Sequence, residues 1–403
     1  MAFFSGGPSE GVRVSRVRIV QPDRRSLLGG AAGLAGVGLL GGCATAGPAR
    51  PPFRPAPQLA PIRADIRRLM GITVCLRPFR AAGPRMDAET VGDKLVVHNY
   101  GHGGSGWSLS WGSAVSVVRT ALAGGAKEVA VLGAGALGMT AATVARRAGA
   151  NVTIYAKERV LDSRSTRATG VWSPDSRIAL SSAVDGEFPA RWEEMARTSW
   201  RMHHQYLGLG DGPVEWTERY MLADSPSVAP HDPMGFAHYG RRLQDIWAPS
   251  EPLEPGQHPF PTRFARRQTL PMFNITAYGH LLTSEFLQAG GRIETMEFHH
   301  PSDLSRLKET VIINCTGYGA RALWRDESVV PVRGQIAWLI PQPEVAYGLY
   351  YKGVGTISRR DGMVVQYSGA DESYGYNDPN EAPDRGEAER AIATIAPLFA
   401  ARG

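Results

Sequence analysis

Cysteine is scarce: Cys43, Cys75 and Cys315 are the only three in a chain of 403 residues. That excludes a disulfide framework, and no CxxC or Cys/His spacing offers a metal site. Cys75 and Cys315 sit in apolar, strand-like runs and read as small buried hydrophobes rather than reactive thiols. Charge of one sign is also scarce. The net charge is +6, and half of it arises before Cys43, where five arginines face only Glu10 and Asp23. No Lys/Arg run follows, so the charge gives no nucleic-acid partner. What the chain has in excess is glycine, 47 residues, beside 43% apolar and 20% charged content. This composition fits a soluble α/β protein with many tight turns, in two domains or one large unit with an insertion.

Residues 1–43 read as a targeting segment. Arg24-Arg25-Ser26-Leu27-Leu28 places paired arginines before a Gly/Ala-rich apolar stretch, the pattern of a twin-arginine export signal. The stretch is too short and glycine-rich for a comfortable membrane span. It ends Leu39-Leu40-Gly41-Gly42-Cys43, which resembles a lipoprotein cleavage box with Cys43 as the acylated residue. The alternatives are an uncleaved anchor helix and a plain signal cut after an alanine. The expectation is export of a folded, cofactor-loaded protein to the periplasm, with membrane attachment through lipidated Cys43. Residues 44–70 form a proline-rich linker, extended or disordered, and the folded body begins near Asp65.

Glu128–Leu132 is a short apolar run, read as a buried parallel strand. Gly133-Ala134-Gly135-Ala136-Leu137-Gly138 follows at once, then an Ala-rich helical stretch from Met139 to Ala148, then the strand Asn151–Tyr155. In that context each glycine has a task. Gly133 allows the turn, Gly135 lets the backbone approach a pyrophosphate, and Gly138 lets helix and strand pack closely. Ala136 and Leu137 contribute amides at the helix start. Glu158, twenty residues after Gly138, is the candidate for the ribose hydroxyls; a surface Glu beside Lys157 is the bland alternative. The fingerprint alone does not separate NAD from FAD.

The rest of the chain does. His98-Asn99-Tyr100-Gly101-His102-Gly103-Gly104-Ser105-Gly106, Leu76-Arg77-Pro78-Phe79-Arg80, the serine/threonine-rich stretch 163–172, Asn314-Cys315-Thr316-Gly317 and Pro331-Val332-Arg333-Gly334-Gln335 together resemble the D-amino-acid oxidase (DAO) family of FAD enzymes. The resemblance covers most of residues 70–403 and is weak at about 190–265. The order of the motifs is rotated: the Arg-Pro and HNYGHGG segments normally come last and here come first. That is the signature of a circular permutation. It predicts that Gly403 lies close to residues 60–72 and that Ala123–Lys127 is a short join.

The resemblance implies an α/β fold with a Rossmann-like FAD-binding domain (72–185 and 268–325) and an antiparallel-sheet substrate domain (186–267 and 326–403). It implies FAD contacts from Ser163, Ser165, Thr166, Gly170, Thr316, Gly103, Gly104, Gly106 and Ser108. Gly103 to Gly106 would present backbone N–H groups at the start of a helix over Trp107–Leu122, favouring the negative charge of a reduced flavin. Arg77 would grip the substrate carboxylate, with Arg80 as runner-up. Two further helices are expected over Asn274–Gly290 and Glu387–Ala396. The family's substrate tyrosine matches Thr356 here; Tyr350 and Tyr351 are candidates to replace it, ahead of a hairpin turn at Asp361-Gly362. Arg359 and Arg360 read as solvated.

The implied reaction is oxidation of a D-amino acid to the imine and keto acid by hydride transfer from Cα to flavin N5, with O2 or a quinone as acceptor. Gly104, Arg77 and the two tyrosines would form the reacting centre, without a metal and without a general base if the amine binds neutral; His98 and His102 would be structural. The alternatives are an oxidase or dehydrogenase of glycine or another amine, and a flavin-binding protein without turnover.

Overall fold

The computed structural model describes residues 57–226 and 232–400. The export signal, Cys43, the first part of the proline-rich linker and Gly403 lie outside the described residues. In chain order the elements begin with β1 (Leu69–Phe79), β2 (Ala88–Val91), β3 (Lys94–His98), α1 (Gly106–Leu122), β4 (Glu128–Leu132), α2 (Ala136–Arg147) and β5 (Asn151–Ala156). Then come α3 (Phe188–His204), β6 (Val214–Ala223), β7 (Glu251–Leu253), β8 (Phe264–Phe273), α4 (Ile275–Gln288), β9 (Arg292–Thr295) and β10 (Val311–Asn314). The chain ends with α5 (Ala320–Leu323), β11 (Val330–Leu339), β12 (Tyr347–Tyr351), β13 (Val354–Arg359), β14 (Gly362–Tyr367) and α6 (Arg385–Ile395).

Two sheets organise these elements. The six-stranded sheet has the order β2-β3-β10-β4-β5-β9. Its strands run parallel from β3 to β9, and only the edge strand β2 is antiparallel. The strands of its middle are continuous apolar runs because both faces are covered. On one face Val97, Val129, Val131 and Ile313 meet Trp111, Val118 and Met139 from α1 and α2; on the other, Val96, Ala130 and Ile312 meet Leu304 and Leu307.

The eight-stranded sheet has the order β1-β11-β14-β13-β12-β6-β8-β7 and is antiparallel except where β12 runs beside β6. Its side chains alternate between two environments. Tyr347, Leu349, Tyr351, Val354, Met363 and Val365 face α6 and pack on Ala388, Ala391, Ile392 and Ile395. Residues of opposite parity face away from α6: Ile336, Ile357 and Val364 form a separate buried cluster with Met272 on that side.

Several expected boundaries move. The helix expected from Met139 begins at Ala136, so Gly138 is already inside it. Residues 72–79 and 268–273, assigned from sequence to the flavin domain, belong to the eight-stranded sheet: β1 pairs with β11 along its length and β8 pairs with β6. The reason is hydrogen-bond register, which motif order does not reveal. The hairpin turn is Arg360-Asp361, one residue earlier than expected, since Gly362 already pairs with Arg359. Arg359 is buried, not solvated; it ion-pairs with Asp361, donates to the Ala168 carbonyl and lies under the Trp338 ring. Arg360 is exposed and pairs with Glu215.

The two described ends share one core. Leu398 and Phe399 belong to the same hydrophobic cluster as Leu59, Ala60, Ile62, Ala64 and Ile66. Tyr347 donates its hydroxyl to the Ala60 carbonyl at 2.8 Å. Between α1 and β4, residues 123–127 form a short, largely exposed connection.

Candidate functional site

In an open parallel sheet, ligands bind outside the carboxyl ends of the strands. Here that edge is formed by Leu132-Gly133, Ala156-Lys157 and Cys315-Thr316, at the ends of β4, β5 and β10. All six line one cleft of about 560 Å³. The same cleft is bounded by the eight-stranded sheet through Cys75, Arg77, Arg219, Gly334, Gly355, Ile357, Val364 and Gln366.

The nucleotide end is built by close backbone packing. Gly133 turns the chain at φ +94°, and a Cβ there would stand 2.7 Å from the Cys315 carbonyl. A Cβ on Gly138 would stand 1.9 Å from the Gly133 carbonyl, so this glycine lets α2 seat on its own turn behind the cleft. A Cβ on Gly135 would stand 2.7 Å from Ser165 Oγ, which accepts a hydrogen bond from the Ala136 amide at 3.0 Å. Apart from Ser165 on the Ala136 amide, no side chain caps α2 among the described residues, and no acid lies in its first turn. Its positive end faces the cleft, which Gly135, Ala136 and Leu137 line, and that end of the helix dipole favours an anionic phosphate. Glu158 also lines the cleft and makes no ion pair among the described residues, whereas its neighbour Lys157 lies 3.7 Å from Glu297.

The start of α1 is more constrained than the motif suggests. Gly103 adopts φ +54°, and a Cβ there would lie 1.9 Å from the Arg177 carbonyl. The Gly103 and Gly104 amides are not offered to a ligand: they donate to the carbonyls of Pro78 and Ser176 at 2.8 and 2.9 Å, and the Ser105 amide donates to His102. The free helix end begins at Gly106, with Ser105 supplying no side-chain cap. Gly103, Gly104, Gly106 and Trp107 all line the cleft, and Trp107 donates to the Ser165 carbonyl at 2.8 Å. His102 lines it too. Both its ring nitrogens are buried without a partner, and desolvation drops its pKa to about 3. His98 is held by Glu89 at 2.6 Å and Asn314 at 3.0 Å and is structural.

Of the expected contact residues, Arg77, Gly133, Gly135, Ala136, Leu137, Glu158, Ser163, Ser165, Gly103, Gly104, Gly106 and Thr316 come together in the cleft. The remaining expected contact residues are placed elsewhere, Gly138 behind the cleft. Thr166 turns its hydroxyl back to the carbonyls of Ser163 and Leu161. Gly170 faces β8, where a Cβ would lie 2.4 Å from the Phe273 carbonyl. Ser108 accepts from the Ser173 amide and is buried behind the helix. Tyr351 faces α6, and its hydroxyl bonds Asp224. Tyr350, of opposite parity on β12, does not line the cleft but lies under the Arg219 guanidinium, 5.7 Å from ring centroid to Cζ. Thr356 lines the cleft, but its hydroxyl is engaged in accepting from the Leu349 amide.

Arg77 reaches from β1 across its neighbour β11. A Cβ on Gly334 would stand 2.5 Å from both Nη atoms, so the glycine of the PVRGQ strand is the seat of this guanidinium. Nη1 donates to the Arg333 carbonyl at 3.2 Å. Among the described residues no carboxylate pairs with Arg77, and desolvation lowers its pKa. Arg177 and Arg219 had no signal in the sequence. Both line the same cleft, and desolvation lowers both pKa values. Arg333, which the motif made equally prominent, is committed elsewhere: it pairs with Glu387 of α6 at 3.1 Å.

These features define a dinucleotide cleft continuous with an arginine-lined chamber. The cradle fits FAD: Gly133–Leu137 would hold the pyrophosphate, Glu158 the ribose, and the start of α1 would face the ring system. Residues 128–402 match the family of FAD dependent oxidoreductases designated DAO. The chain belongs to that family.

Among individual relatives, it is 28% identical to a D-amino-acid oxidase of Streptomyces coelicolor over 213 residues, covering 52% of this chain and 58% of that protein. It is 31% identical to a D-amino-acid oxidase of Rubrobacter xylanophilus over 214 residues, covering 51% and 57%. The matched stretch thus spans less than two thirds of either relative. A solved glycine oxidase from Bacillus cereus is 12% identical, with a TM-score of 0.46 over 68% of this chain and 78% of its own.

Proposed function

We propose that this protein oxidises the Cα–N bond of an amino acid, with D-amino acids as its substrates. The observation that carries the reading is Arg77. It is a desolvated guanidinium without a carboxylate partner among the described residues, seated on Gly334 in the cleft that also holds the nucleotide turn. Such a group is costly to bury alone, and a substrate carboxylate offsets the cost through two parallel hydrogen bonds. FAD, when bound, supplies the two-electron acceptor for the Cα hydride. Arg77 fixes the carboxylate, and thereby the face that Cα presents. Burial keeps His102 neutral at physiological pH, so it adds no further positive charge to the cleft. The positive end of α1 favours negative charge accumulating near Gly106.

The motif order supports a circular permutation of the family fold. The family match begins at Glu128, directly after the exposed connection 123–127, while the described termini share one hydrophobic cluster. Export by the twin-arginine route, lipidation at Cys43, and O2 or a quinone as acceptor belong to the same reading, resting on Arg24-Arg25 and the box that ends at Cys43.

The test is anaerobic reduction of the purified flavoprotein. D-amino acids should bleach the yellow chromophore and their L forms should not; peroxide formed on admitting air marks O2 as acceptor. Bleaching by glycine or sarcosine alone would move the reading to another amine, and no bleaching by any amine would overturn it.

A further inference from the structure

We infer that the substrate carries a second anionic group, and that Arg219 binds it: the cleft is built for a dicarboxylic amino acid rather than a neutral one. The inference rests on the reading of Arg77 as the α-carboxylate anchor.

The argument begins with which cations in the chamber are already compensated. Arg164 pairs with Glu381 at 2.6 Å, and Arg167 donates to the Val74 carbonyl. Arg177 donates Nε to the Glu372 carbonyl at 2.7 Å, and the Glu372 carboxylate is among the charges that act on it. Arg219 has no such compensation. Its Nε is buried without a hydrogen-bond partner, no carboxylate lies within ion-pair distance of it among the described residues, and the one other charged or titratable group acting on it is the Tyr350 phenol beneath it. A buried guanidinium with an unsatisfied Nε is a standing cost to the fold. A site that keeps one against that cost is shaped for an anion that arrives from outside.

The sheet sets the spacing between Arg219 and Arg77. Arg219 starts on β6 and reaches over β12: its Nη2 lies 3.7 Å from where a Cβ of Gly355 on β13 would stand. Arg77 starts on β1 and ends over Gly334 on β11. The two guanidinium groups therefore extend toward each other from opposite sides of the sheet. Only β14 separates the strands they end on, so their two glycine seats are two strand spacings apart, about 10 Å measured across the sheet. Gln366 of β14 lines the floor between them, directly paired with Gly355. A molecule that puts a carboxylate on each cation must then carry the two carboxylates a few ångströms apart, as four- and five-carbon dicarboxylic amino acids do. A neutral side chain in this position leaves Arg219 uncompensated.

Binding and turnover test this separately. Succinate and propionate are titrated into the flavoprotein by calorimetry, which requires no turnover. Succinate is expected to bind roughly 30-fold or more tighter than propionate, and Arg219→Gln to bring that ratio close to one. Arg219→Lys, which keeps the charge, should restore part of it. In steady state, D-aspartate and D-glutamate should exceed D-asparagine and D-glutamine in kcat/KM by a similar factor, chiefly through KM.

Equal binding of succinate and propionate by the native protein would overturn the inference, as would a ratio that Arg219→Gln leaves in place. If dicarboxylates bind selectively but no amino acid reduces the flavin, the failure lies with the proposed reaction and not with the second anion site. Unfolding of Arg219→Gln would leave the native succinate-to-propionate ratio and the Arg219→Lys result to decide.

Discussion

Gly334→Ala isolates the positioning of Arg77 from its charge. The backbone at Gly334 is not in the left-handed region, so alanine is conformationally allowed. Its Cβ, however, would stand 2.5 Å from both Nη atoms and 2.7 Å from Cζ, where ordinary contact begins near 3.4 Å. The strand backbone is pinned by pairing with β1, whereas the guanidinium is the end of a flexible chain, so the guanidinium yields by about 1 Å. A misplacement of that size in a group that orients the reacting carbon costs about 100-fold in rate, or about 2.7 kcal/mol. Stability should hardly change. Losing the hydrogen bond to the Arg333 carbonyl costs about 1 kcal/mol, and removing a glycine from the unfolded chain returns about 0.4–1 kcal/mol. The assay pairs kcat/KM and carboxylate affinity with a thermal unfolding scan. A fall of about 100-fold with Tm moved by no more than a few degrees is expected. Native-like carboxylate affinity in Gly334→Ala would refute the assignment of Arg77, and a Tm loss above about 10 °C would refute the claim that the clash is local.

Two further predictions follow from the packing. A leaderless chain opened within residues 123–127 and closed by a short linker between residues 400 and 57 should fold with the same visible spectrum, because the cut lies in an exposed connection and the linker joins ends that share one hydrophobic cluster. An insoluble or cofactor-free product would count against the permutation. His102 and His203 are both buried, and desolvation drops each pKa to about 3, against about 6.5 when unfolded. Their folded-state pKa is depressed, so the stability they confer is full above about pH 6.5 and is lost as pH falls toward about 3. The urea midpoint should therefore decline from pH 7 to pH 5. Replacing His203, which bonds Tyr278 and the Trp107 carbonyl, should lower the midpoint at pH 7 and flatten that decline; an unchanged slope would contradict it.

The parts of the site legible in the sequence are those in which local backbone geometry imposes a residue type. Gly133 must turn at positive φ, and Gly138 must clear a carbonyl 1.9 Å from its missing Cβ, so the strand–turn–helix pattern announces itself. Arg77 was visible only through the Arg-Pro motif around it. What stayed hidden depends on pairing between distant strands. Tyr350 and Tyr351 are indistinguishable as neighbours in a string, yet β12 sends one toward Arg219 and the other toward α6, and only the register with β6 and β13 says which. Thr166, Gly170 and Ser108 looked like contacts because they sit inside cofactor motifs, but each is spent on holding the loop or helix that carries the motif.

Arg219 shows the limit most clearly. In Thr217-Glu218-Arg219-Tyr220 it is one charged residue in an alternating strand, where the ordinary outcome is a solvated face. It becomes a candidate ligand only because its guanidinium reaches inward across β12, where Gly355 of β13 leaves room for it. The same sheet thus supplies two seats for two cations, one made by Gly334 in a motif and one by Gly355 outside any. On the proposed reading, the specificity of the cleft rests on the second, the one that motif reading passes over.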